Sequence, residues 1–169
     1  MLRVKVRRIA EVKKAARLAH TWLSKDPVFL DTETTGLDAG AQALEIGLVN
    51  ARGDLIYEPR LKPTVSIDPA AAAVHGISEA MLADAPAWPD IAQQLQHHIG
   101  RRPLVIFNAN FDTRILKQTA VAHNLPVSQA GLSWTGQAHS AIADAVMTAR
   151  MVNDIAEYWY QLQREMGDN

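Results

Sequence analysis

The chain has 169 residues, enough for one domain with a full core and short for two. Its 48% hydrophobic and 21% charged residues exclude a disordered, collagen-like or coiled-coil chain. No apolar run approaches the roughly 18 residues of a membrane-spanning helix and no start segment reads as a secretory signal, so no membrane association and a cytoplasmic location are expected. The absence of cysteine excludes disulfides, thiolate nucleophiles and Cys-based metal sites, leaving oxygen and imidazole as the available ligands. The net charge of −1 hides an asymmetry: residues 1–25 carry eight Lys or Arg against Glu11 alone, and the remaining residues sum to −8. Such a basic start is read either as a docking arm for a polyanion or partner, or as a solvated helix face, the commoner case.

In chain order, Ile9, Val12, Ala16, Ala19 and Leu23 share one helical face opposite Arg7, Lys13, Lys14 and Arg17, which predicts an amphipathic helix over about residues 8–23. Residues 2–7 fit a strand or a helix equally. An Arg-rich start also fits a transit peptide, against which stand Glu11 and the scarcity of Ser. After Asp26-Pro27, the run Val28-Phe29-Leu30 predicts a buried strand leading into Asp31-Thr-Glu33-Thr-Thr-Gly36-Leu37. Runs 43–50 and 54–61 around Ala51-Arg52-Gly53 predict a hairpin. Short helical turns are expected between Pro69 and Pro89, then a helix through Ile91, Leu95 and Ile99. Pro103 to Phe107 predicts a second buried strand, followed by Asn108-Ala-Asn-Phe111-Asp112 and a helix through Ile115, Leu116 and Val121. From about Ser140, the stripe Ile142, Ala145, Val146, Ala149, Val152, Ile155, Ala156 and Trp159 predicts a long C-terminal helix. Strands alternating with helices after a hairpin predict an α/β or α+β sheet covered by helices.

Four acids stand beside core elements: Asp31 and Glu33 at the end of the first strand, Asp112 after the second buried strand, and Asp144 on the C-terminal helix. Singly each has an ordinary explanation, Asp112 as a helix N-cap or Asp144 as an ion-pair partner. Brought within about 6 Å of one another, four carboxylates would repel by on the order of 15 kcal/mol, comparable with the stability of a whole domain. Such a cluster must protonate in part or bind cations, and four carboxylates match two divalent ions, with Mg²⁺ or Mn²⁺ favoured by hard oxygen ligands. Two such ions serve in-line displacement at phosphorus, which points to phosphodiester hydrolysis. His139 has the intrinsic pKa suited to take a proton from the attacking water.

These residues resemble the DEDDh 3′–5′ exonucleases, the group that includes the proofreading epsilon subunit of bacterial DNA polymerase III. The resemblance rests on Phe29-Leu-Asp31-Thr-Glu33-Thr-Thr-Gly36-Leu37, on Asn108-Ala-Asn-Phe111-Asp112 and on His139-Ser-Ala-Ile-Ala-Asp144, with Leu44-Glu45-Ile46-Gly47 and Val74-His75-Gly76-Ile77-Ser78 as secondary signatures. It implies a ribonuclease H-like α/β fold, with an initial antiparallel hairpin plus parallel strands in a mixed sheet flanked by helices. Residues 1–25 would be a basic helical extension and 26–169 the exonuclease domain. It also implies that Asp31 bridges two Mg²⁺ or Mn²⁺ ions, that Glu33 and Asp144 complete the site of the water-activating ion, and that Asp112 holds the second ion largely through water. His139 would be the general base. The backbone around Thr34, Gly36 and Leu37 would receive the terminal nucleotide, Leu37 and Phe111 would contact its base or sugar, and His75 and Asn108 would help line the pocket. Gly36 also fits directly, since a residue without Cβ permits close approach to the chain. Ordinary core packing is the competing account of Leu37 and Phe111, and a structural hydrogen bond that of His75.

Only 26 residues separate Asp112 from His139, about half the interval of many relatives, which reduces one wall of the expected cleft and leaves Trp134 to a short remnant strand. The implied substrate is the 3′ end of single-stranded nucleic acid, DNA before RNA. The alternatives are an RNA-processing exoribonuclease, and an accessory subunit whose N-terminal helix docks on a polymerase or forms a homodimer.

Overall fold

Side chains that alternate in direction along strands buried on both faces divide the molecule into two helical layers on a central sheet. In the computed structural model, which describes residues 2–125, 148–157 and 164, with side chains from residue 13, β1 (Val28–Thr34), β2 (Ala43–Asn50), β3 (Leu55–Tyr57) and β4 (Leu104–Ile106) form a sheet in the order β3-β2-β1-β4. β1 pairs antiparallel with β2 and parallel with β4, so the sheet is mixed, as expected. Val28 and Leu30 face a core shared with α3 (Trp88–Ile99) and α4 (Ala109–Ala122). Phe29, Val49 and Val105 point the other way, onto Ala19 of α1 (Leu2–Leu23) and Ala149, Val152 and Ala156 of the helical segment 148–157.

Local chemistry accounts for the joints. Asn50 closes the β2–β3 hairpin: its Oδ1 accepts from the amides of Arg52 and Asp54 while Gly53 takes the positive φ of the turn. α2 (Pro69–His75) starts on an Asp68 side chain that accepts from the Ala70 amide, and ends at Gly76 in the left-handed region. A 3-10 turn at Glu79–Leu82 follows, so the Pro69 to Pro89 stretch holds the expected short turns. Ile91, Leu95 and Ile99 of α3 are all buried.

The structure decides one stretch that the sequence left open and departs from expectation at two residues. α1 takes in residues 2–7, because a helix that is anchored through Ala16 and Ala19 propagates at little cost into a stretch equally suited to either form. Val121, expected on the core face of α4, is 70% exposed, since Ile115, Leu116 and Ala120 already fill the face toward the sheet. Ile155 also lies outside the buried stripe of Ala149, Val152 and Ala156. Trp134 and the expected helix start at Ser140, with Ile142, Ala145, Val146 and Trp159, lie outside the described residues.

Ala19 sits among Phe29, Val49 and Val105 with no room for a longer side chain that carries charge. Ala19→Arg should destabilise the protein by about 2–4 kcal/mol in chemical denaturation, whereas Arg17→Ala on the exposed face of α1 should change stability by less than about 0.5 kcal/mol.

Candidate active site

The candidate site lies where β1 outruns its neighbour. β4 pairs only with Val28 to Leu30, so from Asp31 onward β1 has no β4 residue beside it. The chain leaving β4 turns at once into α4, whose first turn brings Asp112 against Thr32 of β1. Asp31 and Glu33 are half-buried and share the strand face of Phe29, toward α1 and the segment 148–157. Thr32 points the opposite way and is buried. Across the β1–β2 ladder Asp31 stands opposite Gly47, which brings no side chain against it, and Glu33 stands opposite Glu45. Two carboxylates in direct register repel; Arg60 offsets this by donating from Nε to Glu45 Oε2 at 2.8 Å. Just beyond Glu33 the register shifts, one extra residue of β2 bulging opposite Glu33 and Thr34, a device that re-aims strand side chains.

Asp112 is not a helix N-cap. Asn108 occupies that position, its side chain forming no cap bond and its carbonyl accepting from the Asp112 amide at 2.8 Å. The Asp112 side chain is 1% exposed; its Oδ1 accepts from Thr32 Oγ1 at 2.7 Å, and its Oδ2 is buried without a partner among the described residues. Burial pushes this carboxyl up to about 6, against the lowering pull of the Thr32 hydroxyl and of the Asp112 and Thr32 amides. An orphaned carboxylate oxygen in a dry site asks for a proton or a cation, so the donor chemistry fits a hard divalent ion. Among the described residues no three His, Asp or Glu side chains are grouped to hold an ion. Asp144 and His139 lie outside the described residues.

The expected substrate contacts divide. Leu37 is 78% exposed, which removes core packing as its explanation. Phe111 is half-buried, packing on the α3–α4 core on one side with the Arg114 guanidinium 5.2 Å from its ring centroid. His75 is engaged structurally: its Nδ1 accepts from the Ile77 amide at 3.0 Å, leaving Nε2–H to donate to the Thr34 carbonyl at 3.2 Å. Thr34 Oγ1 in turn donates to the Gly36 carbonyl. At Gly36 a Cβ would lie 3.5 Å from Asp68 Cβ, ordinary contact, so internal crowding does not demand glycine there. Asn108 is half-buried with its amide unspent on the cap. Thr32, Arg114 and Gln118 are not among the site residues that the sequence marks out. Thr32 carried a usable signal, because strand alternation turns the middle residue of Asp31-Thr-Glu33 into the core, where a hydroxyl needs a partner.

A model of the RNase T exonuclease family matches residues 28–130. The chain belongs to that family. An uncharacterized exonuclease, CP81, of Escherichia phage 186 is 30% identical over 82% of this chain and 92% of its own length. The DNA polymerase III epsilon subunit of Escherichia coli is 36% identical over 50% of this chain and 39% of its own length. Several other curated relatives are likewise spanned over only 37–56% of their length. Among solved structures, exonuclease X in complex with 5′ overhanging duplex DNA superposes with a TM-score of 0.53 at 25% identity, over 78% of this chain and 92% of that one. The family thus agrees with the motif resemblance and with the mixed sheet. No helix among the described residues is long and apolar enough to cross a membrane.

The raised Asp112 pKa has a definite sign. Its protonated form is favoured in the folded state, so its stabilising contribution is complete below about pH 4 and is lost as pH rises through about 6. For metal-free protein at pH 8 the penalty is about 3 kcal/mol. Asp112→Asn should therefore melt a few degrees above the parent at pH 8 in EDTA, with the gap closing toward pH 4; a gap independent of pH would contradict this assignment.

Proposed function

We propose that the protein is a divalent-metal-dependent 3′–5′ exonuclease that removes nucleoside 5′-monophosphates from single-stranded ends, with DNA as the preferred polymer. The observation that carries this is the buried Asp112 carboxylate, one oxygen orphaned, set against the middle residue of Asp31-Thr32-Glu33. Membership of the exonuclease family supports the reaction class. The duplex DNA in the exonuclease X complex, and the DNA polymerase subunit among the relatives, support the choice of polymer.

Asp31, Glu33, Asp112 and Asp144 would hold two Mg²⁺ or Mn²⁺ ions, which when bound supply Lewis-acid charge at the scissile phosphate. His139 accepts the proton of the water that attacks phosphorus. The bond from phosphorus to the 3′-oxygen breaks, and that oxygen is protonated to leave a shortened strand with a free 3′-hydroxyl. Leu37 and Phe111 offer apolar surface to the terminal base or sugar. The Thr34–Gly36 backbone bounds the nucleotide, and Asn108 helps line its pocket; His75 acts there by fixing the Thr34 carbonyl. The basic face of α1 would draw the polyanion toward an otherwise acidic body, so binding should weaken as salt rises. The same face suits a polymerase or a second copy of the chain as partner.

Incubation of 5′-labelled single-stranded DNA and RNA with Mg²⁺, Mn²⁺ or EDTA tests this directly. A ladder that shortens from the 3′ end only with metal, faster on DNA, is expected. His139→Ala should lower kcat by about 10²–10⁴-fold, and Asp31→Asn by at least as much, with folding intact. Equal digestion in EDTA would refute the mechanism, and faster digestion of RNA would assign the ribonuclease alternative.

A further inference from the structure

The loop that carries Leu37 is held from outside. Its neck is closed by one backbone and one side-chain bond, the Thr35 amide donating to the Gln42 carbonyl at 2.8 Å and the Gln42 amide to the Thr35 hydroxyl Oγ1 at 3.0 Å. Beyond the neck, residues 37–40 are all exposed, and the loop's own bonds are a short turn in which Gly40 N and Ala41 N donate to Asp38. A turn of that size fixes its own shape and leaves open how it leans against the rest of the molecule.

α4 supplies the missing constraint. Arg114 donates from Nη1 to the Asp38 carbonyl at 2.8 Å and from Nη2 to the Leu37 carbonyl at 3.2 Å. Gln118, one turn later, donates from Nε2 to the carbonyls of Ala41 at 2.8 Å and Asp38 at 3.2 Å. Gln118 Oε1 accepts from Arg114 Nη1 at 3.0 Å, which fixes the guanidinium and the amide against each other. The guanidinium also stands over the Phe111 ring. Three backbone carbonyls of one exposed loop are thus read by two side chains of a helix some 76 to 80 residues away in sequence. That same helix carries Asp112, two residues before Arg114.

The geometry points to Arg114 as a positioning residue, which with Gln118 fixes the Leu37–Ala41 loop relative to Asp112 so that Leu37 meets the terminal nucleotide at the correct height above the reacting phosphate. This inference rests on the exonuclease reading. Arg114 acts through Leu37 and Phe111, its fork being used on protein carbonyls. A lysine would keep the charge and lose the two-carbonyl span, so charge alone does not supply the function. Misplacement of a substrate-contacting group by about 1 Å is enough to cost up to about 10²-fold in rate.

The test combines hydrogen–deuterium exchange on metal-free protein with kcat and KM on a single-stranded oligonucleotide, for the parent, Arg114→Ala, Arg114→Lys, Leu37→Ala and the Arg114→Ala/Leu37→Ala double variant. Arg114→Ala should speed exchange at residues 37–41 while β1 and α4 stay protected, and should lower kcat/KM by about tenfold or more. Arg114→Lys should not rescue it. In the Leu37→Ala background the same change should cost less than about twofold, the signature of action through Leu37. A full loss in that background, with the salt dependence weakened by about one ion, would instead make Arg114 a direct phosphate contact and overturn the proposal. Unchanged exchange at 37–41 would overturn it equally. A parent enzyme without metal-dependent shortening of any strand would refute the exonuclease reading, and the role of Leu37 with it, whereas the exchange result bears on the brace alone.

Discussion

The hydrogen bond from Thr32 to Asp112 joins the two halves of the candidate site. It fixes one oxygen of a buried carboxylate against the middle residue of the Asp31-Thr32-Glu33 triplet, and it leaves the other oxygen without a partner among the described residues. A fold optimised for stability alone would place an apolar residue there, since a buried carboxylate with an unmet acceptor is costly whether it ionises or holds its proton. The site instead stores an electrostatic demand that a bound cation would relieve. That demand, more than any single motif, is what supports the proposed metal-dependent chemistry at phosphorus.

α4 is the element against which the site is gauged. Its Thr119 hydroxyl accepts from the Ala43 amide at 2.9 Å and donates to the Ile115 carbonyl, tying the helix to β2 beside the bulge opposite Glu33. Its Asp112 reaches β1, and its Arg114 and Gln118 reach the Leu37 loop. Ile115, Leu116 and Ala120 anchor it in the core. Carboxylate, loop and sheet are therefore positioned by one rigid rod, so small errors in any of them are not independent. Enzymes that must hold reacting groups to fractions of an ångström place them on such elements.

Much of the sheet was legible in the sequence because its signals are local. Val28-Phe29-Leu30 and Leu104-Val105-Ile106 are short apolar runs with turn residues at their edges, and Asn50 to Asp54 encodes its own hairpin. The acids stood out because carboxylates beside buried strands are electrostatically expensive. Side-chain partners over long separations were not legible. Arg114 reads on a helix as one more exposed cation, and nothing in its neighbours indicates that its acceptors lie near residue 38. Val121 and Ile155 were misread because helical period identifies a face and cannot say how wide the contact will be. His75 carried two meanings in the sequence, and its bonds to Ile77 and Thr34 show the structural one. His139, Asp144 and the short interval before them are known from sequence alone.

Under the proposed function, Asp112 is a carboxylate kept in waiting for a cation. Carbon-13 NMR of its carboxyl group across a pH titration, with and without Mg²⁺, measures this most directly. The account predicts a midpoint near 6 in EDTA, and a shift of ionisation to well below the ordinary carboxylate range once Mg²⁺ is added. A midpoint near 6 that Mg²⁺ leaves in place, or an ordinary midpoint near 4 in EDTA, would contradict it.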